Sequence, residues 1–212
     1  MMTKRLTPFI LAAVLALGAA PSVAETGSAG DVYIRMQKVN VNLKSYTAQL
    51  HVDVQTHSFP YISPTLDGTA YFKKPDKTAV VFDTVPALAS QFKKVYPQIE
   101  PPSEWPQIYD VTPLSDDGAN AAFRLVRKKN GRIDHVDVKV DDKTATVTSM
   151  TYFYKDNGGT VTLAQTYDQI DGNYVVKAQN GKVDIPHYNA DISSTFSNYK
   201  LNVNVPDKVF EQ

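Results

Sequence analysis

The chain has 212 residues, with 22 basic and 22 acidic side chains, four histidines and no cysteine. An even charge balance leaves no basic excess to neutralise phosphates, which argues against nucleic acid as a partner. With no cysteine there is no disulfide framework and no thiol nucleophile or ligand, so the fold must hold by its core alone.

The first residues read as a secretory signal peptide: Lys4 and Arg5, an apolar run from Phe9 to Ala20, then the small-x-small signal Ser22-Val23-Ala24. The run is shorter than the about 20 apolar residues a bilayer span needs. No cysteine follows it to carry a lipid anchor. The expectation is cleavage near Ala24 and a soluble, periplasmic or otherwise exported product. Residues 1–24 are then the signal peptide, 25–30 a flexible lead-in and 31–212 one domain. The 188 residues that remain are enough for a single sizeable core.

Residues 31–43 carry Ile34, Met36, Val39 and Leu43 at roughly helical spacing and predict a helix, which the β-branched residues and Asn40 weaken. From Tyr46 the period changes to two: Tyr46, Ala48, Leu50, Val52 and Val54 alternate with polar neighbours, a half-buried strand. The same period returns at Ala70/Phe72, Val80/Phe82, Phe123/Leu125 and Val136/Val138/Val140. It continues at Met150/Tyr152/Tyr154, Val161/Leu163 and Tyr174/Val176/Ala178. Turn chemistry separates these runs at Asp116-Asp117-Gly118, Asn130-Gly131, Asn157-Gly158-Gly159, Asp171-Gly172 and Asn180-Gly181. The pattern predicts one antiparallel sheet curling toward a barrel, with a β-sandwich as runner-up.

Residues 85–113 break that rhythm with six prolines, which a sheet interior does not tolerate. Within them residues 87–96 place Leu88, Phe92 and Val95 on one helical face, and Trp105, the sole tryptophan, follows. The segment reads as a flap lying over the sheet.

Alternation puts Ala70, Phe72 and Lys74 on one strand face and Thr69, Tyr71 and Lys73 on the other. Lys74 then sits at the rim beside Pro75, either with its ammonium simply reaching water or placed at a cavity mouth to hold the flap through backbone carbonyls, while Lys73 points to solvent. The order helix, long strand, then Gly68-x-x-x-Phe72-Lys73-Lys74-Pro75-Asp76 resembles the periplasmic lipoprotein carriers of the LolA/LolB type. The likeness runs from Asp31 through Phe82 and, more loosely, to Asn204-Val205-Pro206-Asp207. It implies a mainly β fold with some α: a curved antiparallel sheet forming an unclosed β-barrel, with a short helical, proline-rich lid. It also implies a carrier that is not an enzyme, has no cofactor, and holds acyl chains of lipoproteins or lipids in an apolar cavity. Inner- and outer-membrane partners of the Lol type follow from the same likeness. The family's lid-holding arginine is matched here by Lys74, a point donor that cannot reproduce a planar fork. The proline-rich flap stands where the family carries an Asp-Gly hairpin.

Phe72, Val80, Phe82, Phe123, Tyr152, Tyr154 and Tyr174 are the candidate cavity lining, although core filling is the commoner role for any one of them. Lys74, Leu88, Phe92, Val95 and Trp105 are the candidate lid and rim. Two other classes compete. An envelope sensor or protein-interaction module would use the flap around Trp105 as an exposed apolar patch. An enzyme is the weaker rival, since His51, His57, His135 and His187 match no metal spacing and no nucleophile elbow is present.

Overall fold

The computed structural model describes residues 28–59, 61–75, 77–84 and 101–211. The expected signal peptide and the expected lid helix 87–96, with Leu88, Phe92 and Val95, lie outside the described residues.

Helix α1 spans Ala29–Met36 and starts in a capping box, in which Ser28 Oγ accepts from Asp31 N–H and the Asp31 carboxylate accepts from Ser28 N–H. It ends seven residues before the expected 43. Val39-Asn40-Val41-Asn42 is poor helix sequence, and Asn40 takes a positive φ of 58°. Val32 and Met36 form the buried stripe, one turn apart, whereas Ile34 faces solvent.

Among the described residues, ten strands form one antiparallel sheet. They are β1 (Ser45–Thr56), β2 (Thr65–Lys73), β3 (Lys77–Phe82), β4 (Tyr109–Asp116) and β5 (Asn120–Arg127). There follow β6 (Ile133–Asp141), β7 (Thr146–Tyr154), β8 (Thr160–Ile170), β9 (Asn173–Ile185) and β10 (Tyr188–Leu201). A short helix α2 (Trp105–Ile108) leads directly into β4, and Asp207–Phe210 makes a 3-10 turn. The spatial order is β3-β2-β1-β10-β9-β8-β7-β6-β5-β4. Consecutive strands pair throughout except β3 and β4, and β1 lies on β10, so among the described residues β3 and β4 are the two edges of the sheet. The sheet does not close into a barrel.

Ten strands at about 4.8 Å spacing would span roughly 43 Å if flat. An eight-residue helix about 12 Å long cannot cover such a face. Yet one cluster of inward side chains stays buried from Leu50 and Leu66 through Ile192, Val183, Leu163 and Met150 to Val138 and Phe123. Curvature of the twisted sheet reconciles these facts, because the inner face covers itself. The outer face is polar, as the strict alternation of β1 requires.

Asn180-Gly181 is not a turn. Both residues lie inside β9, and Gly181 faces inward where a Cβ would stand 3.1 Å from Leu163 Cδ2 and 3.4 Å from Ile192 Cβ. The missing side chain lets the two neighbouring strands bring their aliphatic groups together, and the reversal comes later, at His187 with φ 67°. A register shift opposite Thr166 and Tyr167 makes Lys177 an extra residue, so Tyr174 and Val176 face inward while Ala178 turns outward. Strict alternation along β9 therefore fails at one point.

Candidate functional site

The inner face carries most of the aromatic residues singled out from the sequence, in three different settings. Phe123 on β5 and Tyr152 on β7 are wholly buried in the core. Val80 and Phe82 on β3 and Tyr154 on β7 are half-buried and pack against it. Phe72 and Tyr174 stand apart from that cluster. Phe72 stacks on Tyr46, with ring centroids 5.4 Å apart. The backbone of Tyr174 is held by Asn40, whose side-chain oxygen accepts from its N–H at 2.8 Å and whose amide donates to its carbonyl at 2.7 Å.

The cover over the β4–β5 side is built from α1 and α2. Trp105 is 0 % exposed and its ring stacks against Tyr33 of α1 at 6.3 Å, while Tyr33 in turn lies 5.8 Å from Phe123. Trp105 is thus a core side chain on the underside of the cover. Tyr33 escaped the sequence reading because its neighbours Ile34 and Met36 suggested a different helical face.

Beside the Asn40 bonds to Tyr174, two further residues secure the cover through polar contacts at one end of the sheet. Arg35 at the end of α1 donates to the backbone carbonyl and the carboxylate of Asp142, in the β6–β7 turn. Lys74 Nζ donates to Val41 O at 2.7 Å, in the turn that follows α1. Lys74 does reach a backbone carbonyl, and among the described residues that carbonyl belongs to the segment after α1. Lys73 is not simply solvated: it donates to Val205 O at 3.3 Å and pairs with Asp207 at 3.0 Å, joined there by Lys77 at 2.9 Å.

A second aromatic group lies on the inner side at that same end. Tyr46 meets Tyr199 edge-on at 5.3 Å, and a bulge at Asn198 turns Tyr199 inward. Burial pushes the Tyr46 phenol up to about 12 and raises those of Tyr167 and Tyr199 as well. The hydroxyls of Tyr167 and Tyr199 donate to Val147 O and Val176 O, each at 2.6 Å. These phenols stay neutral at any physiological pH and present an apolar wall with satisfied polar tips.

The outer face holds an open groove of about 640 Å³ across β2, β1, β10, β9 and β8, with Asp53, Ser193, Asn180 and Lys182 among its walls. Its lining mixes short polar side chains with apolar surface from Val54, Pro64, Ala164 and Ile192. The histidines on this face are tied up in ion pairs: His51 Nδ1 meets Asp67 at 2.7 Å and His57 Nε2 meets Asp191 at 2.8 Å. His135 stacks on Phe153 and bonds to Asp134 at 2.8 Å, while Asp137 accepts a two-pronged pair from Arg124. Among the described residues no group of three or more His, Cys, Asp or Glu converges as a metal site. No helix there is long and apolar enough to cross a membrane.

No protein-family model matches the chain, and no curated protein sequence does. Solved structures do match in shape. A LolA superfamily protein from Nitrosomonas europaea superposes with a TM-score of 0.60 at 12 % identity, over 86 % of this chain and 96 % of that one. A putative outer membrane lipoprotein-sorting protein domain from Vibrio parahaemolyticus gives 0.64 at 12 %, over 85 % and 94 %. The fold is LolA-like. A DUF1329 family protein from Desulfovibrio piger shares it, with a TM-score of 0.63 at 16 % identity over 87 % and 96 %. Coverage this high on both sides means that the likeness runs over most of this chain and nearly all of each of the three others. Identities this low establish the shape and leave the cargo to chemistry.

Proposed function

We propose that this protein is an exported, non-enzymatic carrier that holds acyl chains of a lipoprotein or lipid against the inner face of its LolA-like sheet. The observation that carries the reading is the construction of the cover. One side of a continuous apolar face is capped by an eight-residue helix that packs, by side-chain contacts and without a strand ladder, on one tryptophan at the start of the edge strand β4. A purely structural core needs no separable cover.

In the described conformation the inner face beneath Tyr33 and Trp105 is filled, so an acyl chain enters by displacing the cover. Each methylene buried contributes about 0.8 kcal/mol, and ten of them about 8 kcal/mol before ordering costs. Ligand shifts the protein toward the displaced form only by binding that form better. Phe72, Tyr46 and Tyr199 would guide the chain at the rim, with Phe82, Tyr154 and Tyr152 deeper. Cargo transfer would then involve inner- and outer-membrane partners of the Lol type.

Trp105 reports directly on this step. Titration with a triacylated lipopeptide should shift its buried emission saturably and speed amide exchange in α1. An unchanged spectrum and unchanged exchange at saturating lipopeptide would sink the carrier reading and leave the cover as a static cap.

A further inference from the structure

The tip of the β1–β2 hairpin lies outside everything argued so far. Phe59 is 83 % exposed and Tyr61 76 %, the two most exposed large apolar side chains among the described residues. Residues 54–66 (VQTHSFPYISPTL) contain no Asp, Glu, Lys or Arg, in a chain that is 21 % charged. An exposed loop is ordinarily where charges collect, so their exclusion around two bare aromatics asks for a reason.

We propose that this hairpin tip inserts into the interfacial layer of a lipid bilayer. Entry into a low-dielectric layer penalises charged side chains and unsatisfied backbone groups alike. The loop lacks the first and, toward its base, has paired much of the second. Val54 N–H donates to Pro64 O at 3.1 Å and Thr56 N–H to Ile62 O at 3.2 Å. Thr56 Oγ1 donates to Ile62 O at 2.9 Å and accepts from Ile62 N–H at 2.8 Å. His57 N–H donates to Asn189 O at 2.7 Å, and Ser58 Oγ accepts from Asn189 N–H at 3.0 Å. Prolines at 60 and 64 bring no N–H at all. Phe and Tyr side by side, one apolar and one with a polar tip, match the chemistry of the membrane–water interface. A protruding tip also suits a deformable lipid layer better than a flat protein face.

The hairpin sits at the opposite end of β1 from the Lys74–Val41 contact, about 36 Å away along an extended 12-residue strand. It is held to the sheet through His57–Asp191 and the Asn189 bonds, so a tip engaged in lipid would set the orientation of the whole sheet. Two aromatics make a weak, reversible contact, fitting a protein that visits a membrane and does not reside in it.

The absence of cysteine in the chain makes the test clean. Phe59→Cys and Lys143→Cys, the latter in the β6–β7 turn at the other end of the sheet, each take one environment-sensitive fluorophore. Both are mixed with phosphatidylcholine vesicles that carry no lipoprotein, so lipoprotein binding is not being read, and lipid uptake beneath the cover would register beside Asp142, at position 143, instead of at the tip. The expected result is a several-fold, salt-independent emission rise at position 59 and none at 143. In co-sedimentation of the unlabelled protein, Phe59→Ser/Tyr61→Ser should lower vesicle partitioning at least fivefold. A response equal at both positions, partitioning unaffected by the double substitution, or binding abolished by salt overturns the proposal. So does self-association that the double substitution removes, since the tip would then be a contact between copies. A failed carrier test with a positive tip test separates the two ideas.

Discussion

Lys73 and Lys74 leave the same strand end in opposite directions, and each finds a partner far along the chain. Lys73 ties down the C-terminal turn through Asp207, whose carboxyl is held below the usual range first by hydrogen bonds from Lys77 and Lys73. Lys74 ties down the segment after α1. His51 shows how such side-chain pairs respond to pH. The hydrogen bond to Asp67, with Asp53 nearby, raises its pKa above the ordinary 6.5. A raised folded-state value means that the pair's contribution is fully present below about 6.5 and is lost as pH climbs through the higher folded value. An NMR titration should therefore place the His51 midpoint above those of ordinary exposed histidines, and Asp67→Asn should bring it back. The stability gap between the wild type and Asp67→Asn should narrow with rising pH; a gap that widens would contradict the assignment.

At the scale of the element, glycines and bulges adjust strands that alternation alone would leave regular. Gly68 of β2 lies opposite Phe82, and a Cβ there would stand 2.5 Å from Val81 O and 2.8 Å from Phe82 Cα, both backbone atoms. At Gly181 the two nearest atoms are side-chain carbons at 3.1 and 3.4 Å, and the backbone comes no closer than Thr162 O at 3.8 Å. Gly68→Ala should accordingly force β3 away from β2 and cost about 1–3 kcal/mol. Gly181→Ala should cost clearly less, because Leu163 can rotate. Urea unfolding checks the ranking: the midpoint should fall further for Gly68→Ala with little change in slope. Equal midpoints would mean that β3 is not seated as described. The bulges at Lys177 and Asn198 act similarly. Each inserts one residue and thereby turns Val176 or Tyr199 inward, where unbroken alternation would have pointed Lys177 or Asn198.

For the whole molecule the decisive feature is an open sheet whose inner face is partly closed by a separate piece. Strand ladders join every sheet element to its neighbours, whereas α1 is anchored through side chains, at its end by Arg35 and beyond its end by Lys74 and by Asn40 on Tyr174. Local opening should therefore cost less than global unfolding. Arg35→Ala combined with Lys74→Leu should accelerate amide exchange in α1 while leaving β8–β10 protected. If the cover admits acyl chains, the same pair should tighten lipopeptide binding by roughly tenfold, the equivalent of removing about 1.4 kcal/mol from the closed state. Hydrogen exchange read by mass spectrometry, with a parallel binding titration, checks both. Uniform acceleration across the sheet would show that the two contacts hold the fold and not a cover.

The sequence alone determined the fold class, because a period of two is a local property: each strand's own alternation states which side chains share a face. It also placed Phe123, Tyr152 and Phe82 on the inner side by that logic. Only the tertiary structure decided the rest. Asn180-Gly181 reads as a turn until Leu163 and Ile192 from the flanking strands close over it. Trp105 reads as a flap residue until Tyr33, 72 positions earlier, stacks on it. The carbonyl that Lys74 reaches, and the pairing of β1 with β10, join residues far apart in the chain. Such contacts leave no periodic trace, because they depend on where the strands curl in space and not on the order in which side chains alternate.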